Sequence, residues 1–505
     1  MWVQHLSSLD FLTYVAFFGV VVAAICRFVP GKAAPVRDEP FSYEELTRHD
    51  AFLAKYFVAG GAFLVLGSTH MLLKNLPWTA EWLARGGYAG HLVRDLSNTH
   101  VMIVGGGTLL ATGLTWYALP RIVQRPLASN GMAHFAFWLT AVGLAVFYIA
   151  LVGDGIAMTR LVQRGWEYRD AKAHLGKWYK VPIGIGAGVM GLGYWCFASN
   201  VLLTVFQARL VRVPKPHAHL WKFLATGALA LTVGTVQGVI QVTPRNADWL
   251  YRAKHAGEWI DPISHAHVNL VTGLTMLVAG ALFLIAPQLG GTAPSRQRAN
   301  AVWGSLLGGS LAFYATCLYL GFHEGSLVVG HGLTPDQAEE ATPLHGPLIV
   351  GSGVLMFGAF WFLLATLAGT FRHAPRRVRS FVFAGCGALA LGTLQGPVQA
   401  LPAVNELLDR GGDAGDVIVN LHAQLNMLGG LMVLLVGAVL ALRGLSPRRV
   451  LGPVAVGMGI YYAGGVAFSA LEASRVSDGA SFGSAVSSFE PWSALVLVPA
   501  AAAVR

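Results

Sequence analysis

At 505 residues, 54% apolar and only 12% charged, with a mean hydropathy of +0.56, this chain carries too little polar surface for an ordinary soluble enzyme. A formal net charge of +10 would point to nucleic acid in a soluble protein. Here the positive residues sit in short connections between long apolar runs, which excludes nucleic acid as the expected partner and marks one side of a membrane instead.

Thirteen stretches read as spans, in chain order 9–29, 51–73, 97–120, 131–153, 181–208, 219–242, 264–287, 301–322, 345–371, 379–401, 417–442, 450–471 and 489–504. Most are long enough to cross a hydrocarbon layer of about 30 Å as a helix. The expected fold is therefore an all-α integral membrane protein of about 12–13 transmembrane helices. The first span has no cluster of positive charges before it and no small-residue cleavage site after it, so it reads as a retained helix. Residues 1–50 then form an N-terminal transmembrane helix with a cytoplasmic loop, ahead of a main domain at 51–505. Four cysteines, Cys26, Cys196, Cys317 and Cys386, are scattered singly through apolar spans as small hydrophobic side chains. The absence of a Cys-x-x-Cys-His sequence argues against covalently attached c-type haem.

Basic residues concentrate in alternate connections: Arg121 and Arg125; Arg209, Arg212 and Lys215; Arg296 and Arg298; Arg372, Arg376, Arg377 and Arg379; Arg443, Arg448 and Arg449. The opposite connections are longer and carry Asp248, Trp249, Glu258, Trp259 and Asp261, or Asp409, Asp413 and Asp416. By the positive-inside bias the basic loops are cytoplasmic and the N-terminus lies outside. The stretch 160–180, with several basic residues on the expected outer face, is the exception.

Self-similarity is the next signal. Leu66-Gly-Ser-Thr-His-Met-Leu-Leu-Lys-Asn-Leu-Pro77, Val233-Gly-Thr-Val-Gln-Gly-Val-Ile-Gln-Val-Thr-Pro244 and Leu391-Gly-Thr-Leu-Gln-Gly-Pro-Val-Gln-Ala-Leu-Pro402 align without gaps. Each ends one span and is followed by the start of another: Asn98-Thr-His100-Val-Met, His265-Ala-His267-Val-Asn and His422-Ala-Gln424-Leu-Asn. A four-helix unit used three times is expected, over about 51–215, 216–375 and 376–505.

The alignment defines two slots near the outer ends of the third, seventh and eleventh spans. Asn98, His265 and His422 share the first, and His100, His267 and Gln424 the second. Residues two apart on a helix stand about 200° apart around its axis, so the two slots of one helix face opposite neighbours. Imidazole in a bilayer is costly unless something satisfies it. Neutral histidine is the usual axial ligand of protein-bound haem iron, and four histidines in register across repeats fit that use better than isolated helix-end histidines would.

On these residues the chain resembles the catalytic subunit I of the haem–copper oxidase superfamily. It looks most like the C-type (cbb-type) cytochrome c oxidases and the large subunit of nitric oxide reductases, over roughly 51–505. The resemblance implies three pseudo-repeated four-helix arcs, a low-spin haem b, and a high-spin haem beside copper or non-haem iron. His100 looks like the family's single low-spin ligand and His422 like its high-spin ligand, whereas Gln424 replaces the second low-spin histidine. For the second metal the resemblance points to His265 or His267 with His323 and Glu324, where the family carries adjacent histidines. Two imidazoles and a carboxylate suit iron at least as well as copper. A competing register exists, because His255-Ala-Gly-Glu-Trp-Ile-Asp-Pro-Ile-Ser-His265-Ala-His267 resembles the family's late His-x-His helix more closely. In it His267 pairs with His100 across one pore while His265 or His422 serves another.

The resemblance further implies one or two haem b groups, a lipid environment, and electrons from a c-type cytochrome or a cytochrome-bearing partner subunit. It also implies O2 or NO as substrate in a respiratory chain of the bacterial inner (cytoplasmic) membrane. A non-catalytic haem protein for electron transfer or gas sensing is the alternative, and a transporter a weaker one. Gln237, Gln241, Gln395 and Gln399 fall at i and i+4 and read as glue between helices. Tyr319, one turn before His323, reads as a packing aromatic or a redox tyrosine, and Asp154 and Glu167 as interfacial carboxylates.

Overall fold

The computed structural model describes residues 50–447 apart from 211, 400, 402, 403 and 405–420. The expected spans 9–29, 450–471 and 489–504 lie outside the described residues, as do Cys26, Arg448, Arg449, Asp409, Asp413 and Asp416. Among the described residues ten helices are long and apolar enough to span a membrane. They are α1 (Ala54–Lys74), α2 (Tyr88–Val123), α3 (Asn130–Val162), α4 (Lys177–Leu210), α5 (Ala218–Gln241), α6 (His255–Ile285), α7 (Arg296–His331), α8 (His345–Phe371), α9 (Arg376–Gln399) and α10 (Leu421–Leu442).

Each helix coincides with an expected span, but α2 and α6 begin well ahead of theirs, and α3 and α7 run past their own. The extra turns carry His91, Arg94 and Asp95 in α2, and His255, Glu258 and Asp261 in α6. Hydropathy reports only the part of a helix that lipid can tolerate, while backbone hydrogen bonding continues the coil into the polar zone.

Consecutive helices pack against one another around the bundle, with α2, α6 and α10 at its centre. The most apolar windows of these three are 83% buried, against 33–56% for the other seven. Their apolar residues therefore face protein on all sides, and the outer seven turn part of theirs to lipid. The reason the central helices can pack so closely lies in small residues at fixed positions. A Cβ added at Gly60 of α1, Gly227 of α5 or Gly385 of α9 would stand 2.8, 2.7 and 2.7 Å from Leu110, Leu277 and Leu434 of the adjoining central helix. Conversely, Gly106, Gly273 and Gly430 of the central helices receive Leu64, Leu231 and Leu389. The same interlock thus occurs three times at equivalent places. On the axis Gly107 of α2 lies against Leu274 of α6 and Met432 of α10.

The three central helices share one departure from ordinary winding. α2 widens to π-type turns at Leu92–Ser97 and Val101–Thr108, α6 at Trp259–Ser264 and Val268–Leu274, and α10 at Leu425–Met432. In every case the slot residues stand immediately before such a stretch. Wide turns of this kind occur mostly at functional sites.

At the opposite end, α3 starts at Ser129, whose side chain accepts from Met132 N at 3.1 Å. Asn200 of α4 clamps the same residue: Asn200 Oδ1 accepts from Ser129 N (3.0 Å) and Asn200 Nδ2 donates to Ser129 O (2.8 Å). The Asn200→Ala variant strands the buried Ser129 N–H and leaves the Ser129 carbonyl only its 3.3 Å bond from Ala133 N, so we expect a loss of about 1–3 kcal/mol. Thermal unfolding in detergent reads it as a lower midpoint; an unchanged midpoint would show that the clamp adds nothing.

Candidate functional site

Two of the second-slot histidines adopt one geometry. His100 Nδ1 lies 2.8 Å from Leu96 O and His267 Nδ1 lies 2.7 Å from Ile263 O, each a carbonyl four residues back on its own helix. In the first slot, His422 Nδ1 lies 2.6 Å from Gly392 O on α9. A carbonyl only accepts, so Nδ1 carries the hydrogen in all three rings and Nε2 presents its lone pair. His265 turns to the equivalent carbonyl of Gly234 on α5, but its buried Nδ1 closes no hydrogen bond. Among the described residues no side chain bonds the exposed lone pairs. All four rings are only partly buried although they ride on the most buried helices, so each borders open space inside the protein.

Ring contacts show which way each slot faces. The His100 ring packs on Phe147 of α3 with centroids 5.0 Å apart, and the His267 ring on Phe313 of α7 at 4.7 Å. The His265 ring abuts Gly238 of α5, and the His422 ring abuts Gly396 of α9. Second slots therefore face the following helix and first slots the preceding one. Because α3, α4 and α5 run from α2 to α6, His100 and His265 look into one enclosure. By the same reasoning His267 and His422 look into the enclosure formed by α7, α8 and α9. His100 lies within electrostatic reach of His265 and Asp261, and His267 within reach of His422. The structure thus brings His100 together with His265, not with His267 as the competing register has it. Asn98 and Gln424 occupy the slots on the remaining side, between α10 and α2.

The residues assigned by resemblance to a second metal are not gathered. No group of three or more metal-ligating side chains occurs among the described residues. His265 and His267 face different enclosures, as their two-residue spacing requires. Glu324, only 3% exposed, accepts from His345 Nδ1 of α8 at 2.6 Å, and His345 Nε2 stands 3.5 Å from Glu339 Oε1. His323 stacks on Tyr319 with centroids 5.6 Å apart and an interplanar angle of 5°. His345 was not legible beforehand, although a carboxylate inside a span calls for a cationic or hydrogen-bonding partner.

Of the four glutamines, Gln237 and Gln241 act between helices, whereas the buried Gln399 Nε2 makes no hydrogen bond. Gln237 Nε2 donates to Ile260 O (2.9 Å) and Ser264 Oγ (2.7 Å), Gln237 Oε1 accepts from Tyr314 OH (2.9 Å), and Gln241 Nε2 donates to Ile260 O (3.0 Å). This knot braces α6 where Asp261 leaves helical geometry (φ −135°, ψ 113°) just before Pro262. At this kink the Ile260 carbonyl accepts from His265 N and Ser264 Oγ of its own helix as well as from the two glutamines of α5, so the buried acceptor is fully satisfied. Tyr314, absent from the sequence reading, completes the knot from α7. Asp154 sits partly buried on α3 with one oxygen unpartnered, and Glu167 is exposed.

Ten spanning helices, three of them central with imidazoles in repeated slots, define an all-helical integral membrane protein with internal three-fold repetition. Residues 96–263, about a third of the chain, match the family model of cytochrome c and quinol oxidase polypeptide I. Over that stretch the chain is similar to the haem–copper oxidase subunit I family, whose all-helical membrane fold agrees with the one described here. The matched stretch contains His100 and all of α3, α4 and α5, and it ends two residues before His265. No curated protein matches the chain.

Proposed function

We propose that this protein is a membrane haem protein of electron transport, whose histidines would hold haem b and a high-spin haem/metal centre for the reduction of O2 or NO. Members of the family bind haem and metal centres. The observation carrying the reading is the set of imidazoles anchored through Nδ1 to backbone carbonyls with Nε2 bare. That arrangement fixes the tautomer and aim that an iron ligand needs. The orphaned Nδ1 of His265 and the open space beside each ring fit a planar group wedged between helices. Bound haem would supply reversible one-electron chemistry, and gas binding wherever its iron keeps an open position. The chain's own residues hold the rings in place and surround them with apolar side chains such as Phe147 and Phe313.

Copper or non-haem iron on His265, His267, His323 and Glu324 does not fit the arrangement, so no step is assigned to it. That mismatch, together with Gln424 in a ligand slot, favours a second reading: a non-catalytic haem protein that carries electrons or senses a gas. In both readings the basic connections face the cytoplasm of a bacterial inner membrane, with the N-terminus outside. The histidine-bearing ends then meet a c-type cytochrome or cytochrome-bearing subunit on the outer side.

Detergent-purified protein from haem-replete cells should give a protoporphyrin pyridine haemochrome spectrum, with iron counted on the same sample. Two haems with one reactive toward CO or NO support the enzyme, and six-coordinate haem alone supports the carrier. A colourless preparation removes both.

A further inference from the structure

We infer that the chain holds two haem sites displaced onto adjacent arcs: one between α2 and α6 with His100 and His265, the other between α6 and α10 with His267 and His422. The side between α10 and α2 serves neither. This deepens the proposed function and rests on it.

The assignment follows from which way the rings face. His100 leans on α3 and His265 on α5, and those helices belong to the one arc that joins α2 to α6. His267 leans on α7 and His422 on α9, in the arc that joins α6 to α10. The two enclosures are built alike. Each receives one second-slot imidazole braced by its own helix and one first-slot imidazole aimed at a glycine carbonyl of the preceding helix. The glycines Gly238 and Gly396 leave room where a side chain would push the first-slot ring aside.

The remaining side differs in chemistry. Its slots hold the amides of Asn98 and Gln424, and a neutral amide is a weak ligand for haem iron beside an imidazole nitrogen. A low-spin haem held there by His100, as the resemblance implies, would require that ring to turn away from Phe147 and break its bond to Leu96 O. With sites on adjacent arcs, α6 becomes a shared wall, and His265 and His267, two residues apart, would hold the two haems on its opposite faces.

The test uses the full chain in detergent with single His→Gly variants at positions 100, 265, 267 and 422, plus Asn98→Ala and Gln424→Ala. Haem per polypeptide and reduced-minus-oxidised spectra are recorded, with and without added imidazole. The expected result is pairing. His100→Gly and His265→Gly perturb one spectral component, His267→Gly and His422→Gly perturb the other, and each leaves about half of the signal intact. Added imidazole restores the missing component in the glycine variants, which separates ligand loss from misfolding, and the two amide variants change neither component. If His100→Gly and His422→Gly alter the same component, or Gln424→Ala removes one, the inference is overturned while the haem reading stands. Wild-type protein without haem overturns both.

Discussion

His345→Ala should lower the thermal midpoint more than any other exchange at the histidine-bearing end of the bundle. The ring ties Glu324 of α7, 4% exposed in its side chain, to the start of α8 and approaches Glu339 of the intervening connection. Removing it leaves a carboxylate in a low-dielectric place with nothing to offset its desolvation, a change worth about 3–5 kcal/mol when one partner of a buried pair is lost. Glu324→Gln keeps a hydrogen-bond acceptor toward the ring and sheds the charge, so its effect should be smaller. The Glu324→Gln/His345→Ala double variant should recover much of the loss, since no buried charge remains. Equal melting of His345→Ala and wild type would show that the pair does not hold α7 and α8 together.

Gly227→Val carries the second large effect. The first atom of the new side chain would lie 2.7 Å from Leu277, closer than van der Waals contact allows. Relief requires α5 and α6 to part, and overpacking of this kind costs about 1–3 kcal/mol. The same atom would stand 2.8 Å from Gly273 O, so shortening Leu277 relieves only the side-chain part of the clash: Gly227→Val/Leu277→Ala should be more stable than the sum of the two single effects but still less stable than Leu277→Ala alone. Strict additivity in the melting midpoints would mean that the two positions do not meet. The equivalent exchanges at Gly60 and Gly385 should behave alike, because Leu110 and Leu434 stand at nearly the same separations.

Much of the architecture could be read from the sequence, because a bilayer imposes length and apolarity directly on each helix. Helix ends could not. The turns at His91–Asp95 and His255–Asp261 are polar, and only the backbone shows that they lead into α2 directly and into α6 across the kink at Asp261. The slots themselves were legible from the alignment, and so was the separation of His265 from His267, which the period of the helix dictates. Pairing was not, since which slot meets which depends on where α3 and α7 leave the centre. The resemblance supplied a pairing for His100 that the direction of its ring does not support. Glu324 looked like a metal ligand because His345, twenty-one residues further on, sits at a helix start where sequence gives no sign of what it touches. Tyr314 likewise has no local signature, as its role exists only once α5, α6 and α7 are side by side.

The glycine–leucine interlocks are the same in all three copies, whereas the slot residues are not: Asn98 stands where the other copies have His265 and His422. Rigidity and the proposed haem ligation are consequently written in separate residues. On the proposed haem ligation, a compartment could trade its imidazoles for amides and fall silent without loosening the frame its neighbours depend on, so the number of haems could drift in such a scaffold through a handful of exchanges.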